Sequence, residues 1–373
     1  MQRCLVMLVL AACSTKTPAP GGGGDDDTTA PDAPRDPGTG PQLAGCPLLP
    51  ADHIFNTPID SLPVHPTSDA FIATIGGARK LHLDLGTTTD PTAADFYGIP
   101  YNIVHGATFT WPAVAYASTD PSLDWNPRPE SDCAETGDHA VVSPCTAGEA
   151  HLPIAQDIIV EGGINTAADQ LPYGDHHIIV VDADTCRLWE TYHSYLPASG
   201  TWNIFGSATF DLTSNALRPA DWSSADAAGF PILPLLLRAD EASAGPIRHA
   251  LRFTIASSKI RTDYTWPARH LTENGTASTD LPPMGQLFRL KASFAMPANA
   301  GAQTIAILTA MKTYGMYIAD GGSDMYITGT ASPDWADDTF SQVQSITADN
   351  FEAVDLTPIT MRAGFDPNSG RAP

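Results

Sequence analysis

The stretch Tyr173-Gly174-Asp175-His176-His177-Ile178-Ile179-Val180-Val181-Asp182-Ala183-Asp184-Thr185-Cys186-Arg187-Leu188-Trp189-Glu190-Thr191-Tyr192-His193-Ser194-Tyr195 decides the fold class. Two runs rich in β-branched and aromatic residues flank an Asp-rich tip, the pattern of a β-hairpin. With Ala183-Asp184 as a two-residue tip, Ile179 faces Leu188, His177 faces Glu190 and Asp175 faces Tyr192. Residues two apart share a face, so His177 and Glu190 stand beside the apolar pair. An imidazole opposite a carboxylate has its pKa raised and its tautomer fixed, which suits proton transfer. The competing reading is a plain cross-strand pair on a half-buried sheet. A one-residue slip would separate the two side chains.

Outward from this hairpin, strand-like segments recur at 81–85, 99–104, 108–116, 157–160, 176–181, 187–195, 208–212, 249–255, 286–294, 316–319 and 325–328. Each is β-branched or aromatic and is bounded by Gly, Pro, Asp or Ser. Helical signals are confined to 68–75, 223–229, 302–314 (ended by Gly315) and 337–346. With 33 prolines and 30 glycines the chain is turn-rich. The expected fold is mainly β: one antiparallel β-sandwich or jelly-roll-like domain with short peripheral helices and long loops.

The 373 residues carry 42 acidic and 19 basic side chains, a net charge of −23, yet 43% are hydrophobic. That hydrophobic share excludes a disordered acidic protein. The charge excludes nucleic acid as the main partner, because few cations could neutralise a row of phosphates. Residues 1–12 combine Arg3 with a short apolar run, Cys4 to Leu10, and small residues at Ala11-Ala12 before Cys13. This is the layout of a secretory signal. Leu10-Ala11-Ala12-Cys13 resembles the lipobox of bacterial lipoproteins, which implies lipidation of Cys13 and anchoring by acyl chains. Ser14 after the lipidated cysteine points to the outer membrane. Residues 13–45, rich in Pro, Gly, Asp and Thr, read as a flexible tether, and 46–373 as the globular domain. No run of eighteen apolar residues interrupts it, so the lipid is the expected membrane attachment.

Four cysteines remain beyond the signal and the lipobox: Cys46, Cys133, Cys145 and Cys186. An even number in an exported chain suggests two disulfides, for which three pairings are possible. The expected one closes the polar loop with Cys133–Cys145 and pins the start of the domain to the hairpin with Cys46–Cys186.

Several groups could carry chemistry. In Arg248-His249-Ala250-Leu251-Arg252-Phe253, alternation sets His249 among apolar residues and Arg252 on the other face. A histidine on an apolar face also serves as a hydrogen-bonded core residue. Tyr264-Thr265-Trp266-Pro267-Ala268-Arg269-His270 reads either as a sugar-binding loop, with stacking rings and a carboxylate-binding guanidinium, or as an aromatic plug. Asn215 and Arg218 lie with Asp221-Trp222 in a polar insertion that could line a cleft. Asp240-Glu241 and Asp320-Gly321-Gly322-Ser323-Asp324 are acidic turns, the second with a calcium-friendly look. No nucleophile-elbow, phosphate-loop, zinc-protease or dinucleotide signature occurs; no cofactor is expected, the alternative being a divalent metal held by His177, His249, His270 and Glu190.

The blocks at 215–219 and 222–229, His249-Ala250-Leu251-Arg252-Phe253-Thr254, Trp266-Pro267-Ala268-Arg269-His270, Pro283-Met284-Gly285 and Tyr314-Gly315-Met316 with 320–324 resemble, in that order, a family of secreted bacterial proteins. The resemblance spans most of residues 46–355. It implies an extracellular location and a single domain, and no reaction.

The functional expectation is a surface-anchored, carbohydrate-active protein that cleaves a polysaccharide as hydrolase or lyase. As a lyase, His177 or Tyr192 takes the α-proton while Arg252 or Arg269 neutralises a substrate carboxylate. As a hydrolase, Glu190 acts with Asp175 or Glu161. His249 completes the candidate catalytic set, and Trp266, Arg269, His270, Asn215 and Arg218 the substrate-binding set. The alternative is a non-catalytic glycan-binding or adhesion lipoprotein.

Overall fold

Strand Arg187–Tyr195 is the spine of an eight-stranded sheet, paired antiparallel with Ile178–Asp182 on one side and Trp202–Asp211 on the other. The computed structural model describes residues 40–93, 96–117, 130–135, 139–163, 174–272 and 275–372. The expected signal segment, Cys13 and most of the expected tether lie outside the described residues. From edge to edge the sheet runs Asn102–Val104, Ile178–Asp182, Arg187–Tyr195, Trp202–Asp211, Ala113–Tyr116, Ala150–His151, Cys133–Ala134 and Val141–Val142. A six-stranded sheet runs Phe351–Ala353, Leu287–Leu290, Met316–Gly321, Leu251–Ile255, Tyr326–Thr328 and His82–Asp84.

The apolar run 178–181 is unbroken because both faces of its strand are covered. Ile179 and Val181 join Leu188 in the larger core, together with Leu83, Leu251, Phe253, Leu287 and Ile318 of the six-stranded sheet. Ile178 and Val180 point the other way, into a second core with Trp111, Leu152, Ile158 and Trp189. Each fully buried side chain of this size contributes about 1.5–3 kcal/mol by leaving water.

The mainly β, single-domain layout with short rim helices is the expected one. The sheets are nevertheless mixed rather than purely antiparallel. Asn102–Val104 runs parallel to Ile178–Asp182, Ala113–Tyr116 to Trp202–Asp211, Leu251–Ile255 to Met316–Gly321, and Tyr326–Thr328 to His82–Asp84. Parallel neighbours need long crossovers, which local patterning does not reveal.

Helices Ser68–Ile75, Ala302–Thr313 and Asp337–Val343 form where their spacing predicts. Ile305 is 47% exposed, however, and the buried stripe of the long helix is carried by Ala306, Ile307, Ala310 and Met311 with Leu308. Helix Ala239–Ala244 and the helical turn Thr357–Thr360 were not foreseen. Residues 157–160 bury Ile158 and Val160 without pairing as a strand. Residues 40–45, expected in the tether, fold back instead: Gln42–Leu43 pairs with Cys46–Pro47 and Leu43 is buried.

Both expected disulfides are present, Cys46–Cys186 with Cα atoms 5.3 Å apart and Cys133–Cys145 at 5.2 Å.

Candidate functional site

Residues 223–229, predicted as a helix start, form an irregular turn. Ser224 Oγ donates to the Phe230 carbonyl at 2.6 Å and accepts the Asp226 N–H at 2.9 Å, so a side chain takes the bonds a helix would use. Gly229 closes the turn at φ 74°, and a Cβ there would lie 2.6 Å from the Trp222 carbonyl oxygen. This turn gathers the polar centre of the molecule, because successive residues on it hold His177, Arg252, Asp320 and His270.

His177 immediately precedes strand Ile178–Asp182 and is buried. Its Nδ1 donates to Glu161 Oε2 at 2.6 Å and its Nε2 to the Ala225 carbonyl at 3.1 Å. Glu161 Oε2 also accepts the His177 backbone N–H at 3.2 Å. Burial disfavours charge on the ring, but the Glu161 carboxylate, its hydrogen bond and the Asp175 charge outweigh it and raise the imidazole to about 9. Burial works to raise the Glu161 carboxyl; the His177 charge and hydrogen bonds overcome it and hold Glu161 below the usual carboxylate range. The pair is therefore imidazolium and carboxylate at neutral pH. The Glu161 side chain remains 24% exposed.

The expected His177–Glu190 pairing does not form. Asp182 Oδ1 accepts the Asp184 N–H and Oδ2 accepts from Thr185 Oγ1, and Cys186 takes a φ of 50°. The tip thus spans four residues, 183–186, and Glu190 pairs with Ile179. A two-residue offset keeps Glu190 on the same face as His177, yet gives it other partners. Glu190 accepts the N–H groups of Ile232 and Leu233 at 2.9 and 3.0 Å and is fully buried. Burial pushes its carboxyl up to about 7, with those two donors working against the shift. No surface is left for a substrate, so Glu190 positions residues 232–233. Tyr192 packs its ring 5.7 Å from that of His177 and edge-on to Phe205.

Arg252, on strand Leu251–Ile255, forks onto Asp226 with Nε to Oδ2 at 3.1 Å and Nη2 to Oδ1 at 3.0 Å. Its Nη1 donates to Thr328 Oγ1 at 2.6 Å. Asp320, near the end of the neighbouring strand Met316–Gly321, is hydrogen-bonded to Asp226 and accepts the Ala227 N–H at 3.1 Å. Burial, then the Asp226 charge, push the Asp320 carboxyl up to about 7. Both Asp226 oxygens are committed to the guanidinium, so the shared proton resides on Asp320. Asp320 is partly exposed, whereas Asp226 is fully buried. Asp84 interacts with Glu161 and Arg252 and accepts a hydrogen bond from the exposed Tyr97.

The remaining candidates divide. His270 joins the site, its Nδ1 3.1 Å from the Ala227 carbonyl. His249 does not: it is fully buried, with Nε2 2.9 Å from Glu241 Oε2 and Nδ1 2.8 Å from the Ala250 carbonyl. Arg238, bonded to the same Glu241, completes that internal cluster. Trp266 is buried against Phe365, with Nε1 bonded to the Ser369 carbonyl. Arg269 is spent on the carbonyls of Arg218 and Pro367 and on Asn368. The loop is thus a plug under the C-terminal residues, not a sugar platform. Arg218 is buried between Phe210 and Trp222 and bonded to Asp132, Glu130 and Ser223. Asn215 donates to Asp52 Oδ1 at 2.8 Å, away from the site residues.

Asp226, Asp84, Tyr97 and Thr328 were not singled out by sequence, and Asp320 only as part of a calcium-friendly acidic turn. Asp226 reads as a helix cap and Asp320 as a turn residue, and only the strand order brings them to Arg252. The calcium-like turn is divided in the fold, since Asp324 is bonded to Lys259 Nζ at 2.6 Å and to the Ala256 N–H. Among the described residues no three His, Cys, Asp or Glu side chains are grouped to hold a metal ion, and no helix is long and apolar enough to cross a membrane. Comparison with protein-family models, curated proteins and solved structures returns no match.

Proposed function

We propose that the protein is an exported, lipid-anchored hydrolase of the cell envelope that cleaves a neutral glycan by carboxyl acid–base catalysis. The observation that carries this reading is the opposite tuning of two accessible carboxyls. Asp320 holds a proton up to about pH 7, while Glu161 is kept ionised by His177. Environments that push two carboxyl groups apart assign an acid and a base. In the reaction, Asp320 gives its proton to the leaving glycosidic oxygen as that bond breaks. Glu161 takes a proton from the water whose oxygen bonds to the sugar carbon. Arg252 fixes Asp226, whose charge keeps Asp320 protonated, and is a positioning residue.

A lyase acting on an acidic polymer is less well supported. That chemistry needs a cation facing the substrate carboxylate, and both candidates are consumed, Arg252 by Asp226 and Thr328, Arg269 by backbone carbonyls. The net charge of −23 also opposes a polyanion. Export rests on the lipobox-like segment and is supported by two disulfides, which persist in oxidising compartments.

The test is release of reducing ends from a panel of neutral and acidic polysaccharides. Wild type should cleave a neutral polymer, and Asp320→Asn and Glu161→Gln should each lower kcat by about 10²–10⁴-fold with melting temperature retained. Unsaturated sugar products, or full activity in Asp320→Asn, would overturn the assignment.

A further inference from the structure

A cavity of about 370 Å³ is lined by Phe96, Tyr101, Asp240, Thr330, Ser332 and Asp334, among others. That volume lies within the range of small-molecule sites. We propose that it is a subsite for a neutral sugar ring of the same chain that is cut at Asp320 and Glu161; the inference rests on the hydrolase reading above.

Three stretches of backbone serve both places. Phe96 lines the cavity, and its neighbour Tyr97 donates to Asp84. Ile159 lines the cavity two residues before Glu161. Thr330 and Ser332 line it just beyond Thr328, which holds Arg252. Asn102, next to the lining residue Tyr101, fixes the second of these stretches: its Nδ2 donates to the Ile159 carbonyl at 2.9 Å and its Oδ1 accepts the Ile159 N–H at 2.8 Å. The Ser332 N–H bonds the Gly86 carbonyl at 3.0 Å, tying the third to the strand that carries Asp84. A substrate bound in the cavity is thereby held in fixed register with the carboxyl groups.

The lining chemistry selects the ligand class. Phe96 and Tyr101 offer rings against which the apolar face of a pyranose can stack. Asp240 and Asp334 are acceptors for sugar hydroxyls, and Thr330 and Ser332 provide small polar groups beside them. Among the described residues no Lys, Arg or His lines the cavity, and Arg238, paired with Asp240 at 3.4 Å, is buried behind it, so an acidic sugar would meet carboxylates with no cation exposed to it.

The test is calorimetric titration of xylo-, cello-, malto- and chitohexaose into the full chain carrying Asp320→Asn, which keeps the ligand uncut. At least one hexasaccharide should bind. Adding Phe96→Ala should weaken it about tenfold or more, whereas Phe96→Trp should preserve it, with melting temperatures unchanged. Binding that is absent for all four, unaffected by Phe96→Ala and Asp334→Asn, or tighter for an acidic oligosaccharide overturns the subsite. Hexasaccharide binding that depends on Phe96, without reducing-end release by wild type, would leave the subsite standing and refute the hydrolase reading. Cleavage with affinity indifferent to Phe96 and Asp334 would do the reverse.

Discussion

At the scale of single residues, the protonation of His177 has a consequence for stability that can be measured. Its folded pKa, about 9, lies above the ordinary imidazole value of 6.5, so the native state holds a proton that the unfolded chain releases. The stability this supplies is complete below about pH 6.5 and is lost as pH rises through 9. Asp320 and Glu190, both raised to about 7, have already lost their contribution by then. Between pH 8 and 10 the unfolding free energy should therefore fall by on the order of 1–1.5 kcal/mol, and His177→Gln should flatten that slope. Denaturant titrations across this range decide it; equal slopes in the two proteins would count against the His177–Glu161 pair. His177 itself was legible in sequence as a histidine opposite acid. The identity of the acid was not, because Glu161 lies sixteen residues upstream, beyond any hairpin rule.

At the scale of elements, strand types and most helix positions were readable from β-branched runs and from the spacing around Gly315. Register was not. The choice between a two-residue and a four-residue tip turned on the Asp182 side chain capping Asp184 and Thr185, an interaction any Asp-rich turn could make. The Trp202–Asp211 strand was only half foreseen, since Gly206 and Ser207 dilute its strand character. The loop at 264–270 exposes the same limit: its composition fits a binding surface, and only packing against Phe365 and residues 367–369 makes it a plug. Gly315 offers the element-scale test. It follows the long helix at φ 75°, and an added Cβ would sit 2.4 Å from the Phe288 carbonyl oxygen. Gly315→Ala should cost more than about 1 kcal/mol in thermal or chemical unfolding, far above a surface Gly→Ala such as Gly148, which has open space around it.

At the scale of the whole molecule, what the sequence concealed is the mixed order of the sheets. Parallel crossovers bring Asp226, Arg252, Asp320 and Thr328 together from distant positions, so the polar centre is a property of topology rather than of a motif. The acidic excess is partly internalised there: the carboxylates of Glu161 and Asp226 each meet a cation. The Cys46–Cys186 bond closes a sequence separation of 140 residues. Loops of this length give disulfides their largest effect on the unfolded chain, so Cys46→Ala with Cys186→Ala should cost about 2–5 kcal/mol, read from denaturant midpoints. A loss under 1 kcal/mol would mean that the native packing alone holds the domain's entry point.

That same bond also sets a path for mechanical load. Tension arriving along the chain ahead of Cys46 crosses directly to Cys186, at the tip of the central hairpin, instead of travelling through the residues between them. Pulling from the N-terminal side therefore cannot peel the domain open strand by strand. It bears at once on the second and third strands of the eight-stranded sheet, where many hydrogen bonds would have to yield together.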